Sequence, residues 1–268
     1  MNFPRILKKR KGYIDRIKPF MQKSVVKVLT GQRRVGKSFL LYQLIEEILG
    51  KEPDANIIYI NLEDFAFSSL QTAEDLHSYI ISHSKEKAKN YIFIDEIQDI
   101  PGFEKVIRSL LLNEDNDIYI TGSNAKMLSG ELATYLSGRY IEFKIYSLSY
   151  SEFLEFHGLT ESETSYELYS RYGGLPYLLN LPLEDETVNE YLKSVYSTIV
   201  FRDVVSRYKL RNTLFLEKLI QFLSENIGNL FSAKNISDYL KSQHISKPNT
   251  KLYRIFKQCF PYPPSRAV

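Results

Sequence analysis

The chain has 268 residues, which is long enough for one sizeable core and a second, smaller domain. Hydrophobic residues make up 44% and charged residues 25%, with a net charge of +3, so the composition is that of an ordinary globular protein and excludes a disordered or fibrous chain. The single cysteine excludes an intramolecular disulfide and a cysteine-rich zinc module, and no signal-peptide or membrane-spanning stretch is evident, so we expect a cytoplasmic protein with no membrane partner.

The basic residues are concentrated at the start of the chain. Residues 1–40 hold twelve Lys and Arg against the single acid Asp15, whereas acids outnumber bases in the remainder. The cluster formed by Lys8, Lys9, Arg10 and Lys11 has two interpretations: it contacts nucleic-acid phosphates, or it is a solvated basic surface.

Strand and helix patterns alternate over the first half of the chain. Residues 25–29 are rich in β-branched side chains, and a glycine turn separates them from apolar residues at helical spacing through Ile48. The alternation continues with strands at 57–61, 91–95, 118–121 and 140–145, and with helices at 73–81 and 103–112. This order predicts an α/β core in which a parallel sheet is sandwiched by helices and which ends near Tyr146.

A complete phosphate-loop pattern lies between the first strand and the first long helix. The segment GQRRVGKS matches G-x-x-x-x-G-K-[ST], in which two glycines let backbone N–H groups surround phosphates at the start of a helix. The lysine reaches the β and γ phosphates and the serine hydroxyl binds Mg²⁺. We therefore expect ATP to contact Gly31, Gln32, Arg33, Arg34, Val35, Gly36, Lys37, Ser38 and the following Phe39.

An apolar strand that ends in two carboxylates supplies the second half of the predicted site. It has the sequence YIFIDE and resembles a Walker B strand. We expect Asp95 to hold Mg²⁺ through the water shell of the metal, beside the Ser38 hydroxyl, and Glu96 to orient and deprotonate the attacking water, with Lys37 also catalytic. The triphosphate would then lie between the loop and the acidic tip of a neighbouring strand.

Further polar residues follow other predicted strands. Ser123 and Asn124 follow strand 118–121, expected beside the Walker B strand, and they either sense the γ phosphate or cap the next helix. Arg139 either reaches a phosphate, in its own subunit or in a neighbour, or forms a structural salt bridge. Glu63 and Asp64 either support the water shell of the metal or lie in a solvated turn.

Helical patterns replace the alternation after Tyr146. They cover residues 149–157, 163–172 and 185–208. Three shorter helical segments follow at 214–227, 233–241 and 248–256. Their spacing is that of a helix-turn-helix or winged-helix unit that reads DNA, although a simple packed bundle has the same pattern.

Taken together, these motifs resemble those of prokaryotic AAA-type P-loop ATPases of uncharacterised role, related to the archaeal ATPase and STAND groups. The likeness covers most of the chain and depends on GQRRVGKS, YIFIDEIQDI, TGSNAKML and LSGRYIEFKIYSLSYSEFL. It implies a P-loop ATPase core at residues 1–146, a helical lid at 147–212 and a winged-helix-like region at 213–268. In the lid, the turn GGLP would place Pro176 against the adenine.

The resemblance also implies a further nuclease-like domain after the winged-helix-like region, which this sequence does not contain. The segment CFPYPP near residue 260 ends any helix, and the last region has the appearance of a truncated one.

We expect a Mg²⁺-dependent ATPase that couples hydrolysis to a DNA or protein partner, with self-assembly into a homo-oligomer as a further expectation. The alternative is a nucleotide-gated DNA-binding or scaffold module with little turnover. A small-molecule kinase is disfavoured, because the helical region offers no basic lid motif.

Overall fold

A five-stranded parallel sheet forms the centre of the first compact unit of the chain. The computed structural model describes residues 8–122, 136, 138–199 and 213–243. The strands are β1 (Val26–Gly31), β2 (Asn56–Asn61), β3 (Asn90–Asp95), β4 (Asn116–Gly122) and β5 (Tyr140–Ile145), in the spatial order β2-β3-β4-β1-β5. All neighbouring pairs are parallel, so the predicted α/β core is confirmed.

Helices cover both faces of this sheet. They are α1 (Lys11–Ile17), α2 (Lys37–Leu49), α3 (Ala73–His83) and α4 (Phe103–Leu110). Successive strand side chains alternate between the faces: Val26 and Val28 pack with the side of α3 and α4, whereas Leu29 packs with the side of α1 and α2. The predicted elements are correct to within a few residues, and α1 was not predicted because it is only seven residues long.

Central and edge strands differ in burial as their position requires. Every residue of β1, β3 and β4 is buried, which is typical of parallel strands covered on both faces. The outer strands β2 and β5 keep partly exposed residues. Because all five strands run in one direction, their carboxyl ends lie along the same edge of the sheet, which we call the carboxyl edge.

Helices dominate the rest of the described chain. They are α5 (Tyr150–His157), α6 (Glu163–Tyr172), α7 (Asp185–Thr198), α8 (Thr213–Glu225) and α9 (Ala233–Ser242). Capping boxes begin α5 and α6, in which Ser149 pairs with Glu152 and Ser162 pairs with Ser165. The helical region predicted after Tyr146 is therefore confirmed over these residues, and the helix predicted at 248–256 lies outside the described residues.

The chain divides into two compact units, residues 1–188 and 189–268. In the second unit, Phe215 of α8 packs with Leu240 of α9. The boundaries predicted for a lid and a winged-helix-like region stay predictions. In the described ranges, no helix combines the length and apolar character that a bilayer crossing demands.

A buried ion pair lies at the opposite end of the central strands. Lys27 Nζ donates to Asp117 Oδ1, and both side chains are fully buried. Asp117 Oδ2 accepts hydrogen bonds from Tyr119 Oη (2.7 Å) and Gln22 N (2.8 Å). Burial lowers the pKa of Lys27, and the neighbouring carboxylate opposes that shift. The pair is therefore held by a complete set of partners.

Asp117→Ala should lower the free energy of unfolding by about 3–5 kcal/mol, because it leaves the Lys27 ammonium buried without a counter-charge. Urea unfolding monitored by circular dichroism measures the change. Asp115→Ala is the matched control, since Asp115 is exposed in the turn immediately before β4 and its replacement should cost at most about 0.5 kcal/mol. An equal decrease in the free energy of unfolding for the two variants would show that the buried pair does not contribute more to stability than an exposed aspartate.

Candidate functional site

The phosphate-loop segment connects β1 to α2 at the carboxyl edge. Two glycines determine its path. A Cβ at Gly31 would lie 2.3 Å from the backbone oxygen of Ile145, so no other residue fits beside β5. Gly36 is the N-cap residue of α2 and has φ +93°, a conformation that favours glycine. The loop therefore has the close backbone path that its sequence pattern predicts.

Lys37 is folded over this loop. Its side chain is nearly buried, and Nζ donates hydrogen bonds to the carbonyl oxygens of Gly31 and Gln32, both at 3.2 Å. The same ammonium lies 3.5 Å from Glu96 Oε1, the carboxylate that follows β3. The loop and the Walker B strand are thus in direct contact.

Asp95 ends β3 and is 2% exposed. Its carboxylate accepts a hydrogen bond from the Thr121 hydroxyl, and Tyr59 Oη lies 3.5 Å from Oδ2. Burial raises the pKa of Asp95 above its ordinary value, although the hydrogen bonds from Ser38 and Thr121 act in the opposite direction. The charged form of this carboxylate is therefore penalised in the ligand-free fold.

Glu96 has an unusual backbone conformation. Its φ is +55°, which is uncommon for a residue with a side chain and is typical of functional sites. Gln98 Nε2 donates to Glu96 Oε2 at 2.5 Å, while Oε1 faces Lys37. Both carboxylate oxygens are therefore held by named partners.

Thr121 links the two acidic residues and was missed by sequence reasoning. Its hydroxyl donates to Asp95 Oδ1 and accepts a hydrogen bond from Glu96 N at 3.0 Å. The expected pairing of β4 with β3 is confirmed, but β4 also lies between β3 and β1. The acidic strand is therefore not the immediate neighbour of the loop strand, and Thr121 occupies the intervening position. A polar residue at the buried end of β4 was the available signal.

The oxygen atoms at this edge fit a magnesium ion. Mg²⁺ prefers hard oxygen ligands, and protein sites commonly supply one or two of them while phosphates and water supply the others. The Ser38 hydroxyl lowers the pKa of the Asp95 carboxylate, so the two candidate ligands lie near each other at this edge. In the described part of the chain, no cluster of three or more His, Cys, Asp or Glu residues forms a separate metal site.

The other predicted loop residues have different environments. Gln32 and Arg34 are exposed, Val35 is buried, and Phe39 is 47% exposed on α2. Arg33 Nη1 lies 3.2 Å from Glu63 Oε1.

Glu63 and Asp64 follow β2 at the same edge of the sheet. Glu63 thus pairs with the loop, whereas the Asp64 side chain accepts a hydrogen bond from Ala66 N and begins a short 3₁₀ turn. Asp64 therefore caps a local turn, while Glu63 forms an ion pair with the phosphate loop.

Pro176 lies near the phosphate loop, whereas the structure does not describe the two polar residues that follow β4. A Cβ built at Gly36 would lie 3.8 Å from Pro176 Cγ, so the GGLP turn approaches the loop. Ser123 and Asn124 lie outside the described residues. Their predicted roles therefore stay predictions.

Arg139 lies at the opposite end of the sheet from the loop. It immediately precedes β5, whose first residue Tyr140 is paired with Val26, the first residue of β1. The loop begins after Gly31, so a six-residue strand separates the two, roughly 17–20 Å at the rise of a parallel strand. The expectation that Arg139 reaches a phosphate of its own chain is therefore wrong, whereas contact with a neighbouring copy stays a prediction.

Three of the four residues in the basic cluster at the start of α1 contact other parts of the protein. Arg10 is buried and pairs with Glu152, Lys9 Nζ lies 3.4 Å from Glu47 Oε1, and Lys8 donates to the carbonyl oxygen of Phe156. Neither a nucleic-acid surface nor a solvated surface describes Arg10. The burial of Arg10 was not predicted because its partners are distant in sequence, whereas the side chains of Lys9 and Lys11 are exposed.

Parts of this chain match the sequence models of two protein families. Residues 23–154 match the sequence model of a family described as an AAA domain, and residues 163–256 match one described as a domain of unknown function (DUF8612). The Aeropyrum pernix ORC1 protein, solved in complex with DNA, is similar in structure, with a TM-score of 0.49, 13% identity and coverage of 95% of this chain and 83% of that one.

Two relatives are similar over most of this chain. An uncharacterised protein of Haemophilus influenzae is 37% identical over 252 residues, which cover 90% of this chain and 61% of the relative. The uncharacterised protein MJ1544 of Methanocaldococcus jannaschii is 33% identical over 242 residues, which cover 85% of this chain and 52% of the relative. The chain thus spans between one half and two thirds of the length of these relatives.

Asp95→Asn should raise the melting temperature of the ligand-free protein at pH 7. The folded pKa of Asp95 lies above its unfolded value, so folding stability falls as the pH rises between those two values, and the amide removes that cost. We expect an increase of roughly 2–4 °C for each kcal/mol recovered, measured by scanning calorimetry. The difference should vanish at a pH below the ordinary carboxyl value of 3.8.

Glu63→Gln is the control for this substitution. Glu63 lies near the same edge, but its side chain is 45% exposed, so loss of its charge should leave the melting temperature nearly unchanged. A lower melting temperature for Asp95→Asn at pH 7 would contradict the inferred cost of the buried charge.

Proposed function

We propose, from the match of residues 23–154 to the sequence model of an AAA domain, that this chain binds ATP with Mg²⁺ and hydrolyses it at the carboxyl edge of its sheet. One observation carries the proposal. The ammonium of Lys37, in the phosphate loop, lies 3.5 Å from the carboxylate of Glu96, and the adjacent residue of the loop, Ser38, lowers the pKa of the adjacent carboxylate, Asp95. A cation for phosphate, a base for water and two metal ligands therefore meet at one point.

The phosphate loop would bind the triphosphate through its backbone. Gly31 and Gly36 allow the close approach of N–H groups to the phosphate oxygens, and α2 directs its positive end toward them. Lys37 would exchange its hydrogen bonds to the Gly31 and Gln32 carbonyls for bonds to the β and γ phosphates. Pro176 would pack on the adenine.

Ser38 and Asp95 would hold Mg²⁺ through the hydroxyl and the carboxylate. The bound ion would neutralise charge on the β and γ phosphate oxygens. Thr121 and Tyr59 would keep the Asp95 carboxylate in place, because both direct their hydroxyl groups at it. Asp95 must be ionised in this role, and a nearby divalent cation favours the ionised form.

Glu96 would act as the general base. Its carboxylate accepts a proton from water as the water oxygen attacks the γ phosphorus, and the bond from that phosphorus to the bridging oxygen breaks to leave ADP and phosphate. Gln98 holds one oxygen of this carboxylate, and Lys37 faces the other. Recruitment of Lys37 by the phosphates would free that second oxygen for water, which links the activity of the base to occupancy of the site.

The energy of hydrolysis would be coupled to a DNA or protein partner through the helical region. The alternative is a nucleotide-gated module with little turnover. Turnover by the wild type distinguishes these functions, and duplex DNA is the first partner to add.

Lys37→Ala should weaken ATP binding by about 100-fold, because it removes charge-assisted hydrogen bonds to the phosphates. Titration with a fluorescent ATP analogue in the presence of Mg²⁺ measures this loss. Lys18→Ala is the control, because Lys18 is a surface lysine paired with Glu47, and the affinity should not change. Normal ATP binding by Lys37→Ala would refute the assigned loop.

Glu96→Gln should reduce kcat by about 10²–10⁴-fold and leave the ATP Kd within about threefold, because the amide keeps the shape of the side chain but cannot accept the proton. Phosphate release assays with and without duplex DNA measure the rate. Glu86→Gln is the control, since Glu86 is exposed in the turn before β3, at the other end of that strand. A rate that does not depend on Glu96 would eliminate the hydrolysis mechanism.

A further inference from the structure

Arg10 is an arginine enclosed by the first compact unit. It is 4% exposed, although it belongs to a cluster of four consecutive basic residues. Gln43 of α2 fixes the backbone around it, because Gln43 Oε1 accepts from Arg10 N and Gln43 Nε2 donates to the carbonyl oxygen of Lys8, both at 2.9 Å. Residues 8–10 are thus bound to the helix that follows the phosphate loop.

The guanidinium of Arg10 connects three parts of the chain. Nη1 donates to the carbonyl oxygens of Val35 at 3.2 Å and Tyr146 at 2.8 Å, and Nη2 donates to that of Ser147 at 3.3 Å. Nε and Nη2 also donate to the two carboxylate oxygens of Glu152, both at 2.8 Å. One side chain therefore contacts the phosphate loop, the exit from β5 and the first turn of α5.

The contact with Val35 determines how the loop presents its backbone. The carbonyl of Val35 and the N–H of Gly36 belong to one planar trans peptide unit, in which they point in opposite directions. Because Arg10 holds the carbonyl on its own side, the N–H of Gly36 is directed to the other side. That N–H is one of the groups with which a phosphate loop binds its anion.

The contact with Glu152 fixes α5. Burial raises the pKa of this carboxylate, but the hydrogen bonds from Arg10 and Ser149 outweigh burial, so the net pKa lies below its ordinary value. At the other end of α5, Lys8 Nζ donates to the carbonyl oxygen of Phe156. Residues 8–10 therefore hold both ends of α5 and one peptide of the phosphate loop.

We propose that Arg10 is a positioning residue for ATP, which holds the phosphate loop in its anion-binding conformation and links that conformation to the position of α5. The proposal rests on ATP binding at this loop, as proposed above. Arg10 does not contact the nucleotide in this role. Its loss should therefore affect affinity for ATP much more than the rate of the bound complex.

Arg10→Ala is the principal test. We expect the Kd for the fluorescent ATP analogue and the KM for ATP to rise by about tenfold, the size of one charge-assisted hydrogen bond, while kcat at saturating ATP stays within about threefold. Arg10→Lys keeps the charge but cannot bind Glu152 and the carbonyls together, so it should restore only part of the affinity. If Arg10→Ala does not fold, the affinity of Arg10→Lys decides the test.

Lys9→Ala is the matched control. It removes the neighbouring positive charge, whose partners Glu46 and Glu47 lie on the surface of α2, and the ATP Kd should stay within about twofold. Hydrogen exchange adds a second readout. ATP should slow exchange at the α5 amides in the wild type and in Lys9→Ala, and this protection should be lost in Arg10→Ala at a temperature where all three proteins are folded.

The outcomes separate the two proposals. If wild type binds ATP and Arg10→Ala binds it as tightly as Lys9→Ala does, Arg10 is only a structural residue and the inference fails, while the proposed function stands. If wild type binds no ATP, both proposals fail together. An unchanged KM with a reduced kcat in Arg10→Ala would also overturn the positioning role.

Discussion

A parallel sheet brings the carboxyl ends of all its strands to one edge, and the candidate site depends on this constraint. β1 ends in the phosphate loop, β3 ends in Asp95 and β4 ends near Thr121. Residues from three separate parts of the sequence are thereby brought into contact, by hydrogen bonds between β3 and β4 and by the ion pair of Lys37 with Glu96. The opposite edge of the same sheet carries the Lys27–Asp117 pair and is remote from this chemistry.

Burial at the carboxyl edge strengthens the electrostatic interactions of the polar residues and also makes an uncompensated charge there unfavourable. Lys37, Asp95 and Glu96 are each less than 10% exposed, so water screens their charges little. Each charge must therefore be compensated by neighbours: Lys37 and Glu96 face each other, Thr121 donates to the Asp95 carboxylate, and Gln98 donates to the Glu96 carboxylate. In the proposed reaction, ATP and Mg²⁺ would replace some of these internal contacts, which connects occupancy of the site to the arrangement of its catalytic groups.

The N-terminal segment connects the phosphate loop to the first helix after the sheet. Through Arg10, a carbonyl of the phosphate loop and a carboxylate of α5 share one buried cation. Movement of either element changes the hydrogen bonds of the other, because the guanidinium has a fixed planar geometry. This is a physical route by which a change at the loop would reach the helices that follow the sheet.

The sequence by itself determined the fold class, the phosphate loop and the acidic strand end, because each of these is encoded in contiguous residues. Hydrophobic runs between helical patterns predicted all five strands, and GQRRVGKS and YIFIDE predicted the two segments that meet. These features depend on local spacing and on the backbone requirements of glycine, so a short stretch of sequence is sufficient to recognise them.

Only the tertiary structure decided which distant residues complete the site. The insertion of β4 between β1 and β3 makes Thr121 the link between the Asp95 carboxylate and the backbone N–H of Glu96, and the direction of β5 places Arg139 at the far edge. The burial of Arg10 depends on partners at Val35, Tyr146 and Glu152. Strand order and long-range hydrogen bonds are set by the packing of the whole unit, and no local pattern of residues specifies them.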